Sequence, residues 1–365
     1  MNPAIQKTIS LVLLIGIGFL LQRKVTTPDQ RKGVKTLILS IALPATIFVA
    51  LLKIEFNLFL IYLPIFALLI NGLLFVIIRY SLSLFDMDRF TADGKTVNLL
   101  FSSLAPGLSC FPFLVEYATE DALAFAALAD VGNKVFVLVI LYLVAMRWHY
   151  NTQQFTNLSA KSRLKRLSQT LIKEPVNLAI IVAIIMLYFG LNLSSLPAFL
   201  QEPITRMSLM MTPMILIFIG MAVKFNAAQM KKIGLLLIYR SACAFLISGL
   251  ILIFLPQQVS ISLLIVLVTF PQSAASFWPF AHISMINDME FNKSKTFNID
   301  LALNFLALSL PFSTVIILSI CTFPEFFIEA QHSLLIGLLL IGLLLIAKFF
   351  QNIKARERTF ELMEE

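Results

Sequence analysis

The polar residues best suited to bind a ligand lie inside apolar stretches of the chain, next to prolines. Pro271 and Pro279 fall within residues 267–280, which read LVTFPQSAASFWPF. The polar residues between the two prolines are Gln272, Ser273 and Ser276. Proline removes a backbone donor and clashes with the carbonyl four residues earlier, so two prolines this close predict an interrupted helix. Inside a membrane, interrupted backbone is tolerated only where it faces protein or a polar cavity.

A second stretch has the same character. Residues 102–113 read SSLAPGLSCFPF and contain Pro106, Ser109 and Pro112. A helix interrupted at mid-membrane presents N–H groups that suit a carboxylate at the start of its second half, and carbonyls that suit donors or cations at the end of its first half. We therefore expect the two stretches to form a substrate site that takes an anionic group without a dedicated arginine. In the alternative interpretation, the serines satisfy freed backbone groups and the prolines only kink packed helices.

One apolar stretch carries opposite charges near its middle. Asp130 and Lys134 are four residues apart, so they share a helical face and can pair. Charges at this depth are usually functional, which favours a proton relay or an ion path, and a structural ion pair is the alternative. Asn133 faces another side of the helix and is a candidate substrate ligand. His282 is a candidate proton carrier near neutral pH, or a hydrogen-bonded packing residue.

Three further residues receive weaker interpretations. Arg240 is interpreted as an interface residue whose long side chain reaches the membrane surface, with an intramembrane position as the alternative. His149 and His332 are predicted to lie in loops.

The composition is that of an integral membrane protein. Of 365 residues, 59% are hydrophobic and only 13% are charged, too few to cover a soluble surface of this size. The cysteines at 110, 243 and 321 show no metal-ligand spacing and no disulfide framework, and we expect neither a metal nor a cofactor. A helix needs ~20 mainly apolar residues to cross the hydrocarbon. That rule gives eleven spans, at 4–21, 34–53, 57–79, 96–116, 120–147, 175–192, 203–223, 233–254, 259–287, 295–320 and 333–350.

The basic residues predict the orientation of the chain. The net charge is +8, and most of the 28 Lys and Arg residues fall in alternate connections and in the tail. The exceptions are Lys7, Lys53, Lys134, Arg206 and Arg240. Since basic loops face the cytoplasm, we expect a multi-pass protein of the plasma or inner membrane with its amino terminus outside and its carboxyl tail inside. Anionic lipid headgroups, and not nucleic acid, are the expected neighbours of these charges.

Matching residues recur at a nearly constant distance along the chain. The pairs, each separated by about 170 residues, are Pro44 with Pro213, Pro106 with Pro271, Pro112 with Pro279, Asp130 with Asp300, and Asn133 with Asn304. This predicts two five-span repeats, inverted because each holds an odd number of spans, as in one class of secondary transporter. The expected division is a first repeat at 1–147, a basic linker with an amphipathic helix at 148–174, a second repeat at 175–320, an extra span at 321–350 and a tail at 351–365.

Several segments resemble those of the auxin efflux carrier family, which includes PIN-type carriers and bacterial permeases. The segments are ILSIALPATIF at 38–48, EPVNLAIIVAIIMLYFGL at 174–191, TPMILIFIGMAV at 212–223, FPQSAASFWPFA at 270–281 and Leu310–Pro311. The resemblance implies ten helices in two inverted halves, with helices four and nine broken and crossing at the substrate site. It also implies export or facilitated movement of small organic anions such as indole acids or dicarboxylates, a homodimer, and a substrate role for Asn133. The chain departs from the family in lacking a polar Asn just before the helix-four break, in its SFWPFAH segment and in its eleventh span.

Other functions were weighed against an organic-anion carrier. A cation-coupled carrier of the bile-acid-symporter or sodium/proton-antiporter type would need carboxylates at the crossing, and neither 102–113 nor 267–280 contains Asp or Glu. An intramembrane enzyme is not expected, because the spans carry no HExxH, no Asp-rich prenyl-diphosphate motif and no Ser/His pairing. A signalling role is not supported, because no soluble domain is evident.

Overall fold

A computed structural model describes the protein at residues 3–25, 27–52, 62–118, 120–152, 175–222, 227–256, 259–290 and 295–364. Within these ranges the chain forms helices and their connections, with no strand. The all-α prediction is confirmed. The predicted amphipathic helix of the 148–174 linker lies almost wholly outside the described residues.

Six helical stretches are long and apolar enough to cross a membrane among the residues described. They are Tyr62–Phe85, Leu128–Thr152, Lys231–Phe254, Ile261–Met289, Ile299–Thr322 and Ala330–Phe349. They coincide with predicted spans three, five, eight, nine, ten and eleven. This is the architecture of an all-α, multi-pass membrane protein.

The helices of the first part of the chain are α1 (Pro3–Leu21), α2 (Pro28–Leu37), α3 (Leu43–Leu52), α4 (Tyr62–Ser81), α5 (Ala92–Phe101), α6 (Pro106–Ser109), α7 (Phe111–Tyr117), α8 (Glu120–Val135) and α9 (Leu141–Thr152). Two π-helical turns, Ile38–Ala42 and Phe136–Ile140, join α2 to α3 and α8 to α9. In a π-turn each hydrogen bond spans one more residue than in an α-helix, so the chain stays helical through both turns.

The helices of the second part are α10 (Pro175–Tyr188), α11 (Ala198–Ala222), α12 (Ala227–Phe254), α13 (Ile261–Thr269), α14 (Phe277–Met289), α15 (Ile299–Thr322), α16 (Pro324–Phe327) and α17 (Ala330–Glu364). Their starts follow ordinary capping chemistry. Ser260 accepts the N–H of Leu263 at the start of α13, and Asn298 accepts that of Leu301 at the start of α15.

The chain divides into two compact units. The first comprises Met1–Phe59, Leu143–Lys224 and Ser284–Thr296. In it α1 packs along α11 at very short range, because a Cβ on Gly18 would lie 2.0 Å from the carbonyl oxygen of Ile217. Only glycine permits this approach of the two backbones. Helix α3 packs against α10 through a small apolar core that contains Val49, Leu52, Ala183 and Leu193.

The second unit comprises Leu60–Tyr142, Phe225–Ile283 and Phe297–Glu365. Helices α4 and α8 are in close contact at Gly132, where a Cβ would lie 1.9 Å from the carbonyl oxygen of Pro64. Helix α12 packs along α17 and also against α13 and α15. Both stretches predicted to be interrupted, the partners of their polar groups and the charged pair of α8 lie within this unit.

Candidate functional site

The first predicted interruption is present. Helix α5 ends at Phe101, and residues 102–105, here called the first break, are not helical. Pro106 then begins the short helix α6, and α7 follows from Phe111 with Pro112 at its second position. Proline is tolerated in a first turn, because the N–H that it lacks has no partner within the helix. These prolines therefore lie in the first turns of the two helices that follow the first break.

The second predicted interruption is also present. After α13 ends at Thr269, a 3₁₀ turn at Phe270–Gln272 contains Pro271, and residues 273–276, here called the second break, are not helical. Helix α14 starts at Phe277, and Pro279 lies in its first turn. Both breaks are buried almost throughout. In hydrocarbon, a buried non-helical backbone requires partners for each N–H and C=O.

The two breaks are hydrogen-bonded to each other. The N–H of Ala105 donates to the carbonyl of Ala274 at 2.8 Å, and the N–H of Ala274 donates to the hydroxyl oxygen of Ser109, also at 2.8 Å. The N–H of Ser276 donates to the hydroxyl oxygen of Ser103 at 3.1 Å. The structure thus brings the two sequence-predicted stretches into direct contact.

Helix α15 contributes two more serines to the second break. Ser309 accepts the N–H of Ala275 at 3.2 Å, and the hydroxyl of Ser313 donates to the carbonyl of Gln272. The side chain of Gln272 is held at both ends by Ser241 on α12, with bonds of 2.8 and 3.1 Å.

Serine hydroxyls thus accept all three N–H groups of residues 274–276, just before α14 begins. Free N–H groups are expected at the start of α14, where the N–H of Trp278 donates to the hydroxyl oxygen of Ser276 at 3.4 Å. The hydroxyl of Ser109 accepts the N–H of Ala274, and the hydroxyl of Ser273 donates to the carbonyl of Phe270 at 2.7 Å. For these two predicted serines the alternative interpretation, satisfaction of freed backbone groups, is the observed one.

Asn133 lies at the centre of a second buried network. Its amide nitrogen donates to the carbonyl of Leu104 in the first break at 3.0 Å and to Asp130 at 2.9 Å. Its amide oxygen accepts from Asn71 on α4 at 2.9 Å. Asp130 also pairs with Lys134 at 3.0 Å. The expected ion pair is present. Asn133 contacts the first break, as expected for a residue that faces the crossing, and it also bonds to Asp130 of the pair.

Asn71 is a functional candidate that the sequence analysis missed. It is fully buried, and its amide oxygen has no hydrogen-bond partner. An available signal was its place in the repeat, since Asn71 precedes Arg240 by the same spacing of about 170 residues that relates the other pairs.

The interface interpretation of Arg240 is wrong. The residue is 4% exposed and lies in the middle of α12. Its guanidinium donates to the carbonyls of Phe101 at 2.8 Å, Ser103 at 2.8 Å and Ser273 at 2.7 Å. Helix α12 begins earlier than predicted, which moves Arg240 to the depth of the breaks. The expectation that the site takes an anionic group without a dedicated arginine stays a prediction.

Two histidines have structural partners. The Nε2 of His282 lies 2.9 Å from the carbonyl oxygen of Val137, in the π-turn after α8, and its ring meets Tyr142 edge-on. This supports the packing interpretation of His282, and its proposed proton role stays a prediction. The loop prediction is wrong for both His149 and His332, because they lie in helices α9 and α17. His149 lies in α9 and is buried, with Nδ1 3.2 Å from Glu290.

No protein-family model matches the chain, and no curated protein matches it either. Among the described residues, no group of three His, Cys, Asp or Glu side chains is arranged to hold a metal ion.

Proposed function

We propose that the protein is a secondary carrier that moves small organic anions across a cell membrane by alternating access. The observation that carries the proposal is the bond between Ala105 and Ala274, which joins the two non-helical segments of two otherwise apolar spans. Paired broken spans that meet inside the membrane are the usual substrate and ion sites of inverted-repeat transporters. Buried polar groups at such depth are costly and therefore usually functional.

The division into units agrees with an inverted repeat. The first unit contains the predicted spans one and two of the first repeat with spans six and seven of the second. The second unit contains most of spans three to five together with most of spans eight to ten. Each unit thus combines corresponding members of both repeats, as expected if two copies of one five-span precursor associate symmetrically. On this basis we propose that the interrupted spans are the crossing helices four and nine of a carrier of the auxin efflux type.

The cation-coupled alternative has less support. The break carbonyls of residues 103, 104 and 273, which a sodium ion would use, are already bonded by Arg240 or Asn133. Sodium and other hard cations in proteins also favour carboxylate oxygens, and the two breaks carry none. The same proposal includes export as the direction of transport and a homodimeric assembly, both of which follow from the resemblance. It also includes an external amino terminus, which follows from the basic loops.

A melting-temperature screen of the purified protein tests this function. Each of a set of small carboxylates is added with sodium chloride or with choline chloride at equal ionic strength. A ligand present at ~100 times its dissociation constant stabilises the folded state by ~2.7 kcal/mol, which is easily measured. We expect one class of carboxylate to raise the Tm equally in both salts. A rise seen only with sodium would favour the cation-coupled carrier, and no rise with any carboxylate would contradict the proposal.

A further inference from the structure

Among the residues that the structure describes, Arg240 has no acidic partner. Two buried charged side chains, Asp130 and Arg240, can be compared. Asp130 pairs with Lys134, whereas no carboxylate that the structure describes lies within 4.0 Å of Arg240. Its three partners are all backbone carbonyls. A buried cation usually has a carboxylate partner, because desolvation costs more than neutral dipoles return.

The positions of the three carbonyls explain why a cation is held there. Phe101 ends α5, Ser103 lies in the first break, and Ser273 follows the 3₁₀ turn that ends the first half of the other span. The carboxyl-terminal ends of helices carry unpaired carbonyls and a partial negative charge. Two such ends converge on one point, and in carriers of the broken-helix type this is the arrangement that coordinates a coupling cation. In this protein the planar guanidinium of Arg240, which has five N–H donors, occupies that point.

We infer that Arg240 is a resident cation: its guanidinium occupies the carbonyl cage between the two breaks in place of a coupling ion and supplies the positive charge that an anionic substrate requires. The first half of this inference stands on the geometry alone, and the second half rests on the proposed function. Serine hydroxyls accept the N–H groups of residues 274, 275 and 276, so these three groups already have partners. The guanidinium of Arg240, bonded to carbonyls of both breaks, brings a full positive charge to the same place.

Replacement of the side chain tests the inference by chemical rescue. Arg240→Ala leaves the three carbonyls without donors, so we expect a lower Tm than that of the wild type. Guanidinium chloride at millimolar concentration, compared with choline chloride, should restore part of the loss, a rise of roughly 2–4 °C at saturation. The wild type and Arg206→Ala, which removes an exposed arginine paired with Glu202, should show no such rise. A folded Arg240→Ala protein that responds to guanidinium and sodium no more than the wild type does would overturn the inference.

Two further measurements keep the test decisive. If Arg240→Ala does not fold, Arg240→Lys and Arg240→Gln are compared, and the charge-retaining lysine should melt at the higher temperature; an equal or higher Tm for glutamine would contradict a resident cation. In the wild type, sodium should not raise the Tm above choline, and a sodium-dependent rise would show that the cage still takes an ion. None of these measurements contains a carboxylate, so their outcome is independent of the anion screen.

Loss of carboxylate binding in Arg240→Gln, with retention in Arg240→Lys, is the expected result for the second half of the inference.

Discussion

Asn133→Ala is the substitution that most directly perturbs the network behind the first break. The side chain is 2% exposed and takes part in three hydrogen bonds, with Leu104, Asp130 and Asn71. Alanine removes all three and leaves the carbonyl of Leu104 unpaired in a buried position. The ion pair between Asp130 and Lys134, at 3.0 Å, does not need Asn133 and should persist.

The size of the effect follows from these bonds. Hydrogen bonds between membrane helices contribute ~0.6 kcal/mol on average and at most ~1.7. Two of the three bonds of Asn133 connect α8 to other segments, so their loss with the unpaired carbonyl amounts to about 1–3 kcal/mol. We therefore expect a Tm several degrees below that of the wild type in a protein that still inserts and folds. Because Leu104 belongs to the first break, we also expect the carboxylate-induced rise in Tm to be lost.

The assay is thermal unfolding of the purified variants, with and without the stabilising carboxylate. Asn151→Ala is the matched control, since Asn151 is an exposed asparagine of α9. It should match the wild type in both measurements. A double-mutant cycle with Asn71→Ala should give a coupling energy of ~0.6–1.7 kcal/mol. An Asn133→Ala protein with wild-type Tm and wild-type carboxylate response would refute the assigned role of this network.

Three further sets of substitutions test other parts of the structure by the same unfolding measurement. Neutralising Asp130 or Lys134 alone should lower the Tm more than neutralising both, because a single change leaves an unpaired intramembrane charge; additive effects would argue against a coupled pair. Gly132→Ala should destabilise strongly, since its Cβ would meet a carbonyl oxygen of α4 at 1.9 Å, whereas Gly72→Ala, with nothing within 4 Å, should be neutral or stabilising. Ser109→Ala should cost about 1–3 kcal/mol, because it leaves a buried N–H of the second break unpaired; an unchanged Tm would show that this bond is not needed.

Prolines made the interruptions predictable from the sequence. Pro106 and Pro271 cannot continue a helix, and their apolar surroundings placed both interruptions at membrane depth. Their polar neighbours also pointed to the correct segments. The contact between the two segments could be anticipated only through the repeat and the family resemblance, because residues such as Ala105 and Ala274 carry no signal of their own.

Partners of backbone groups were much harder to predict. Arg240 was assigned to the interface because its distance from the membrane centre depends on where α12 begins, and sequence fixes a helix start only to within a few residues. The sequence allows Ser109 to be either a ligand residue or a partner of freed backbone, and it gives no signal for Ser309. Only the geometry shows that both accept N–H groups of the second break. Asn71 has no proline or charged residue beside it in the sequence that would mark it as a functional candidate.

The measurement closest to the central claim is counterflow of a labelled carboxylate into proteoliposomes preloaded with the same unlabelled compound. The carboxylate is the one that raises the Tm, and sodium is replaced by choline on both sides of the membrane. A carrier working by alternating access should accumulate label transiently in these vesicles, and Asn133→Ala vesicles should not. Absence of accumulation with the folded wild type, or accumulation only when sodium is present, would contradict a sodium-independent organic-anion carrier.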